Sequence, residues 1–396
     1  MLRDEFKRLS GRKGLSSLHE NSRYRRAAET LNGELFHGSN GTYVRIITDF
    51  DHNYIYNRAG ISEWPYLFKA KHSYFGNSDL SGTLELNNLL FFDIETTGLG
   101  GSGTVPFLIG LGSITENGFQ VRQYFLPDYP DEAAMLEAVR LEIKSDSTVV
   151  SYNGKAFDLP ILKDRFIIHR VERHLELAGH IDLLYSVRKL YRRRLSNCTL
   201  SNIEKTILGH HRHDDIPGFL VPAVYFNWLS TEETIDLARV VRHNLDDIVS
   251  LFFILHHLTE VMEEPAKKIT EPDDIYSFAR LLQSRGENKE VWTLLEDFGH
   301  ILRQQARYDI LWLHSLAYKR GELLVKAVPL WEEIARTDST ESFWARIELA
   351  KYYEHRQKDY NTALKHAQSA CENCPRHTFS PELDKRINRL RRKLAH

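Results

Sequence analysis

Apolar positions change their rhythm along this chain. From Thr42 to Phe50 a β-branched, aromatic stretch predicts strand structure, and the segment up to about residue 85 is then rich in turn formers. Leu89 to Ile94 is a continuous apolar run broken only by Asp93, the pattern of a strand buried on both faces. Further strands are expected over Thr104 to Ile114, Val121 to Leu126 and Thr148 to Tyr152, and a helix over Asp131 to Ile143. Strand and helix signals therefore alternate from residue 86 to about 262, which implies an α/β layered domain. Leu237, Val241, Leu245, Ile248 and Phe252 form the apolar stripe of an amphipathic helix near its end.

Beyond about residue 270 the strand signals stop and a repeat begins. Arg285-Gly286 and Arg320-Gly321 lie 35 residues apart, and Arg356 follows after a further 36. This is the spacing of helical hairpins in units of roughly 34 residues. The last unit, with Asp359-Tyr360, Ala363, Ala370 and Pro375, resembles the tetratricopeptide pattern of small residues where paired helices touch. Three regions are expected: a basic N-terminal extension with some strand structure (1–85), an α/β domain (86–262), and an all-α tetratricopeptide-like repeat domain (270–396) offering a docking surface to a protein partner.

Composition narrows the setting. A chain of 396 residues with 42% hydrophobic and 27% charged residues is globular and long enough for several cores. Three cysteines argue against a disulfide framework, the first thirty residues lack a signal-type apolar region, and no apolar run reaches the ~18 residues of a membrane span. A soluble cytoplasmic protein is expected. The net charge of -2 leaves any nucleic-acid contact to local patches. One is a mobile or loosely docked basic arm carrying Arg3, Lys7, Arg8, Arg12, Lys13, Arg23, Arg25 and Arg26. The other is Arg188, Lys189, Arg192, Arg193 and Arg194 with Tyr185 and Tyr191 interleaved, which reads either as a phosphate-binding segment or as a solvated helix face.

The chemistry lies in acids set among apolar residues. Alternation on a strand projects Asp93 and Glu95 from one face and Phe92 and Ile94 from the other. Two neighbouring acids in so apolar a strand repel and are desolvated, a conflict that a divalent cation relieves. Their hard oxygen ligands suit Mg²⁺ or Mn²⁺, and a pair of such ions can promote phosphoryl transfer. Asn153-Gly154 reads as a turn and Pro160 as an early helical position, which puts Asp158 near a helix start as a further ligand or an ordinary cap. On the helix around residue 245, Asp247 is the better-placed acid and Asp246 the solvated one. His243, one turn earlier, is positioned to take a proton from an attacking water.

Three other constellations carry less. Gly98-Leu-Gly100-Gly101-Ser102-Gly103 spells a dinucleotide fingerprint, but a strand follows where a helix is required, so a hairpin turn is expected. His210, His211, His213, Asp214 and Asp215 form a polar cluster without ordered metal-ligand spacing. Cys371, Cys374 and His377 start like a zinc site but lack a second ligand pair.

At the acids the sequence resembles the DEDD (DnaQ-like) exonucleases of the ribonuclease-H-like superfamily. Asp93 and Glu95 in Phe-Asp-Ile-Glu-Thr-Thr-Gly match the first motif, Asp158 in Tyr-Asn-Gly-Lys-Ala-Phe-Asp the second and Asp247 the last. The segments Gly-His-Ile-Asp-Leu-Leu, Cys-Thr-Leu-Ser-Asn-Ile-Glu-Lys and Asp-Ile-Pro-Gly-Phe-Leu-Val-Pro-Ala-Val-Tyr-Phe look like the bacterial YprB-type branch, which commonly joins such a domain to a tetratricopeptide-like tail. The resemblance implies a mixed five-stranded sheet with flanking helices and two metal ions held by Asp93, Glu95, Asp158 and Asp247. It also implies 3′-to-5′ hydrolysis of single-stranded DNA or RNA ends. By the same matching Asn153 meets substrate and Thr96 or Thr97 the terminal nucleotide; Arg192, Arg193 and Arg194 of the basic segment are the candidate phosphate contacts. One departure stands out. The spacing His-x3-Asp is the register in which one subclass carries tyrosine, so the general base stays open between His243 and another group. The rival reading is a catalytically decayed nucleic-acid-binding or scaffold protein acting through its repeats.

Overall fold

The computed structural model describes residues 22–57, 59–61, 86–98, 100–101, 103–372 and 381–395. These divide into two compact units, one built from the chain up to Arg188 with Ser196–Glu263, the other from Lys189–Leu195 with Glu264 onward.

The first unit is a mixed sheet flanked by helices. It opens with a helix over residues 22–30, here α1. The strands are β1 (Glu34–Gly38), β2 (Gly41–Asp51), the short pair β3 (Ile55–Tyr56) and β4 (Ala59–Gly60), then β5 (Leu89–Thr96), β6 (Pro106–Thr115), β7 (Gly118–Phe125), β8 (Thr148–Ser151) and β9 (Gly179–Asp182). The main sheet has seven strands in the order β1-β2-β7-β6-β5-β8-β9. Pairing is antiparallel from β1 through β5 and parallel from β5 through β8 to β9. The helices are α2 (Glu132–Glu142), α3 (Asp158–Ile168), α4 (Leu183–Tyr191), α5 (Leu200–Ile203), α6 (Val221–Thr231) and the long α7 (Ile235–Glu263).

The five strands β7-β6-β5-β8-β9 fit the expected mixed core. Two more come from the N-terminal extension: Thr48 pairs with Val121 of β7, so β2 continues the same sheet. Of the two alternatives expected for the basic arm, mobile or loosely docked, its described part takes the docked one: Ala27 and Ala28 of α1 and Leu31 just after it are buried in the core of this unit. Arg23 donates to the Pro127 carbonyl at 2.8 Å, Tyr24 to Asp131 at 2.6 Å, and Arg26 pairs with Glu232. Arg3, Lys7, Arg8, Arg12 and Lys13 lie outside the described residues.

The two faces of β5 have different fates. Leu90, Phe92 and Ile94 join a core with Met135, Leu136 and Val139 of α2, Leu162 and Phe166 of α3, and Tyr225 and Trp228 of α6. The opposite face is covered by α7, whose Phe252 packs near Phe91 and Phe119. Such close approach needs small residues on the sheet. A Cβ at Gly112 would lie 2.6 Å from Ile248 Cγ2, and one at Gly110, opposite Asp93, would lie 2.4 Å from Asn244 Oδ1.

The second unit is helical: α8 (Pro265–Lys268), α9 (Pro272–Ser284), α10 (Asn288–Gln304), α11 (Tyr308–Arg320), α12 (Leu324–Ala335), α13 (Glu341–Tyr352), α14 (Tyr360–Glu372) and α15 (Pro381–Leu394). From α9 on, each helix packs against the next in sequence. Ala363, Ala367 and Ala370 line the buried side of α14 and let Phe343, Leu383 and Leu390 approach it. Cys371 is exposed at the end of α14, and Cys374, His377 and Pro375 lie outside the described residues. Among the described residues no helix is long and apolar enough to cross a membrane.

Candidate metal centre

Two acids come from the central strand. Asp93 and Glu95 share the α7 face of β5. Burial drives the Asp93 carboxyl well above the usual range, and Asp247, Asp158 and Glu95 push it the same way. Glu95 is pushed up to about 8, chiefly by burial, with Asp247 and Asp158 adding to the shift while His243 and Arg212 oppose it. The third acid, Asp158, begins α3 and is pushed up to about 7 by burial, helped by Asp182 and Asp247. Gly154 makes room for it, since a Cβ there would sit 3.0 Å from Asp158 Oδ2 and 2.4 Å from Ser151 Oγ. The fourth acid, Asp247, comes from α7 with His243 one turn earlier. All four carboxylates thus feel one another. Asp246, expected to be solvated, is engaged in an ion pair with Arg242 at 2.9 Å.

His243 completes the constellation. Its Nε2 lies 3.9 Å from Glu95 Oε1 and 3.8 Å from Asp247 Oδ2, and single ligand atoms of these three residues all lie within 4.8 Å of one another. Its Nδ1 faces Asp215 Oδ1 at 2.7 Å. Burial alone would lower the imidazole pKa, but Asp247, Glu95 and Asp215 together raise it.

Several residues of this site were not singled out in the sequence. Asn244 of α7, fully buried, donates to Asp93 Oδ2 at 2.8 Å, and its own carbonyl accepts from Gln123 of β7 at 2.9 Å. Asp182, also buried, accepts from the backbone N–H of Asn153 at 2.8 Å and of Lys155 at 3.1 Å. It thereby shapes the loop ahead of Asp158. Arg212 pairs with Asp247 Oδ1 and with Glu204, whose Oε2 accepts from Nε at 2.8 Å. An available signal was the apolar register of Gln123 and Asn244 within a strand and a helix otherwise buried on that side.

The segment 210–215 therefore acts differently from a separate metal cluster. His210 stacks on Tyr56 at 4.1 Å and His211 and His213 are exposed, while Arg212 and Asp215 turn into the acid site. The residues expected to meet substrate also divide. Thr96 donates to the Gly98 carbonyl at 2.7 Å and Thr97 Oγ1 accepts from Val105 N–H at 3.0 Å, so both hydroxyls brace the β5–β6 turn. The antiparallel β5–β6 pairing confirms a hairpin in place of a dinucleotide site. Asn153 has φ 66° and an exposed side chain beside the acids' loop. Arg192 is exposed. Arg193 and Arg194 have partners that the sequence did not show. In the helical unit Arg193 is tied to Asp273 at 2.8 Å and Asp309 at 2.7 Å, and Arg194 to Asp274 at 2.8 Å, so carboxylates already occupy guanidinium groups assigned to phosphate.

The donor set fits a divalent cation. Among the described residues, the positive or potentially positive groups recorded against these four mutually repelling, largely desolvated carboxylates are Arg212 and His243, and hard oxygen donors suit Mg²⁺ or Mn²⁺.

Known proteins agree with this architecture. Residues 90–259 match the RNase H superfamily, so the first unit carries an RNase H-like domain, a class that points to a nuclease. Over 335 residues the chain is 35% identical to the Bacillus subtilis (strain 168) protein named "Uncharacterized protein YprB", covering 81% of this chain and 80% of that one. The chain belongs to the YprB family. Among solved structures it is similar to the family B DNA polymerase from the hyperthermophilic archaeon Pyrobaculum calidifontis, at 17% identity and a TM-score of 0.36, over 52% of this chain and 30% of that one.

Proposed function

We propose that this protein is a metal-dependent 3′-to-5′ exonuclease acting on single-stranded ends of DNA or RNA. The observation that carries this reading is the convergence of Asp93, Glu95, Asp158 and Asp247, three of them with carboxyls driven upward by burial and mutual repulsion, in an RNase H-like domain. Two bound divalent ions would supply charge stabilisation for the phosphoryl transition state and a more acidic attacking water. The chain's own residues do the rest. The four carboxylates would hold the ions, while Asn244, itself held by Gln123, fixes the Asp93 rotamer and Arg212 holds one oxygen of Asp247. Asn153, exposed at the turn before α3, is the polar side chain best placed to meet a strand end. The consecutive pairing of α9 to α15 supports a tetratricopeptide-like array that docks a protein partner.

The test is incubation of the purified protein with single strands labelled at the 5′ end, as DNA and as RNA, with Mg²⁺ or Mn²⁺. A ladder of progressively shortened labelled products is expected from wild type and none from Asp93→Asn. Immediate release of a labelled mononucleotide would reverse the polarity, and cutting of closed circles would make it an endonuclease. Equal degradation by wild type and Asp93→Asn, or none by either, would leave only binding and scaffolding.

A further inference from the structure

The two ring nitrogens of His243 face different chemistry. Nδ1 lies 2.7 Å from Asp215 Oδ1, and an ionised carboxylate only accepts, so Nδ1 carries the proton in that hydrogen bond. Arg212 Nη1, 3.4 Å from the same nitrogen, is also 3.4 Å from Asp215 Oδ2, so it pairs with the carboxylate and leaves the ring proton in place. Asp215 is itself steadied by the Ile216 N–H at 2.9 Å. The other ring nitrogen, Nε2, points at Glu95 Oε1 (3.9 Å) and Asp247 Oδ2 (3.8 Å), so it is the one placed to offer a lone pair to an ion held by those acids. One atom from each of these three residues lies within 4.8 Å of the other two, a spacing that a divalent cation can bridge. Arg212 does not fill that role, because it grips the other oxygen, Oδ1, of Asp247 and leaves Oδ2 turned to the histidine.

Resting on the metal-dependent reading above, we propose that His243 Nε2 is itself a metal ligand, together with Glu95 and Asp247, and that Asp215 is the positioning residue that aims it. The arrangement is the carboxylate–histidine–metal pattern, in which the outer carboxylate fixes tautomer and ring orientation. It gives the site a nitrogen among its oxygens. Mg²⁺ keeps to oxygen donors and water, so a nitrogen ligand at this position favours a first-row transition ion, of which Mn²⁺ is the one that also accepts the surrounding carboxylates, over Mg²⁺. It also accounts for a histidine in the His-x3-Asp register: a residue pointing at two carboxylates serves coordination, while a general base must face the attacking water.

Pulsed electron paramagnetic resonance of Mn²⁺ bound to the full-length protein reads coordination directly. The expected result is the nitrogen coupling of a bound imidazole in wild type, absent in His243→Gln. In Asp215→Ala, Mn²⁺ affinity should fall roughly 10–100-fold, with a smaller loss for Mg²⁺, as is typical when a metal-ligating histidine loses its outer partner. Mn²⁺ that binds without imidazole coupling, or with coupling that persists in His243→Gln, overturns the proposal and leaves the four-carboxylate reading intact. Failure of Mn²⁺ to bind wild type at all overturns both. The wild-type spectrum decides even if a variant fails to fold.

Discussion

Glu95 in the RNase H-like unit and Glu354 in the helical unit are both buried glutamates, with side chains 13% and 0% exposed, and their surroundings drive them in opposite directions. Burial would raise the Glu354 carboxyl, but hydrogen bonds from Arg389 and Lys393 and the charge of Arg386 hold it down to about 2. Arg389 reaches it at 2.7 Å and Lys393 at 3.1 Å, both from α15. Glu95 has acids where Glu354 has cations, and burial with Asp247 and Asp158 lifts it to about 8. A buried carboxylate surrounded by cations of its own chain holds two helices together. One surrounded by other acids is unstable as it stands and gains from a ligand that brings positive charge.

The comparison can be broken most directly by neutralising each side. Asp93→Asn should reduce Mn²⁺-dependent cleavage by roughly a thousandfold or more, since several kcal/mol of transition-state charge stabilisation would be lost. Melting temperature in chelator should hold or rise, because a repelling charge has gone; a large drop would show that Asp93 is structural. Glu354→Gln should do the reverse, lowering stability by about 2–3 kcal/mol in urea unfolding while cleavage per folded molecule stays unchanged.

Acidity sharpens the contrast. Glu354 has a folded-state value near 2 against an ordinary 4.5, so its contribution is present above about pH 4.5 and is lost as pH falls toward 2. Glu95 is raised from 4.5 to about 8, so in the metal-free protein its favourable contribution is present below about pH 4.5 and disappears as pH rises through 8. In chelator, Glu95→Gln should therefore melt increasingly above wild type from pH 5 to pH 8, and Mn²⁺ should reverse the order. A difference that stays flat across a pH series of melts would remove the electrostatic account of the site. The smallest effect is expected at Arg194→Ala. Loss of its pair with the buried Asp274 should lower stability by about 1–2 kcal/mol with little change in single-strand binding. A tenfold loss of binding would instead restore this segment as a phosphate contact.

Much of the candidate site was legible because its acids sit in local patterns. Asp93 and Glu95 needed only strand alternation, Asp158 a turn followed by a helix start, and Asp247 against Asp246 a helical phase angle. The partners of these acids were not legible. Arg212 and Asp215 lie in a run of histidines and acids that reads as a polar cluster without ordered ligand spacing, and only its folding against α7 turns them inward. Asn244 looks like one polar residue on a helix until Gly110 lets that helix approach the strand. Arg193 and Arg194 follow the same rule: a basic cluster shows its charge in the sequence and its carboxylate partners only after folding, here across some eighty residues.

The sequence by itself determined the short-range features: an α/β region followed by helices, the face of β5 that carries acid, and the ordered set of carboxylates. These depend on periodicity and turn chemistry within a few residues. The tertiary structure decided what required distant segments to meet. It joined β2 to β7 and docked α1. It gave Glu354 a cage of cations and Glu95 a ring of acids, and it turned His243 Nε2 toward the acids by placing Asp215 behind it. Charge is local in sequence, but the field a buried charge feels is set by what the fold brings against it.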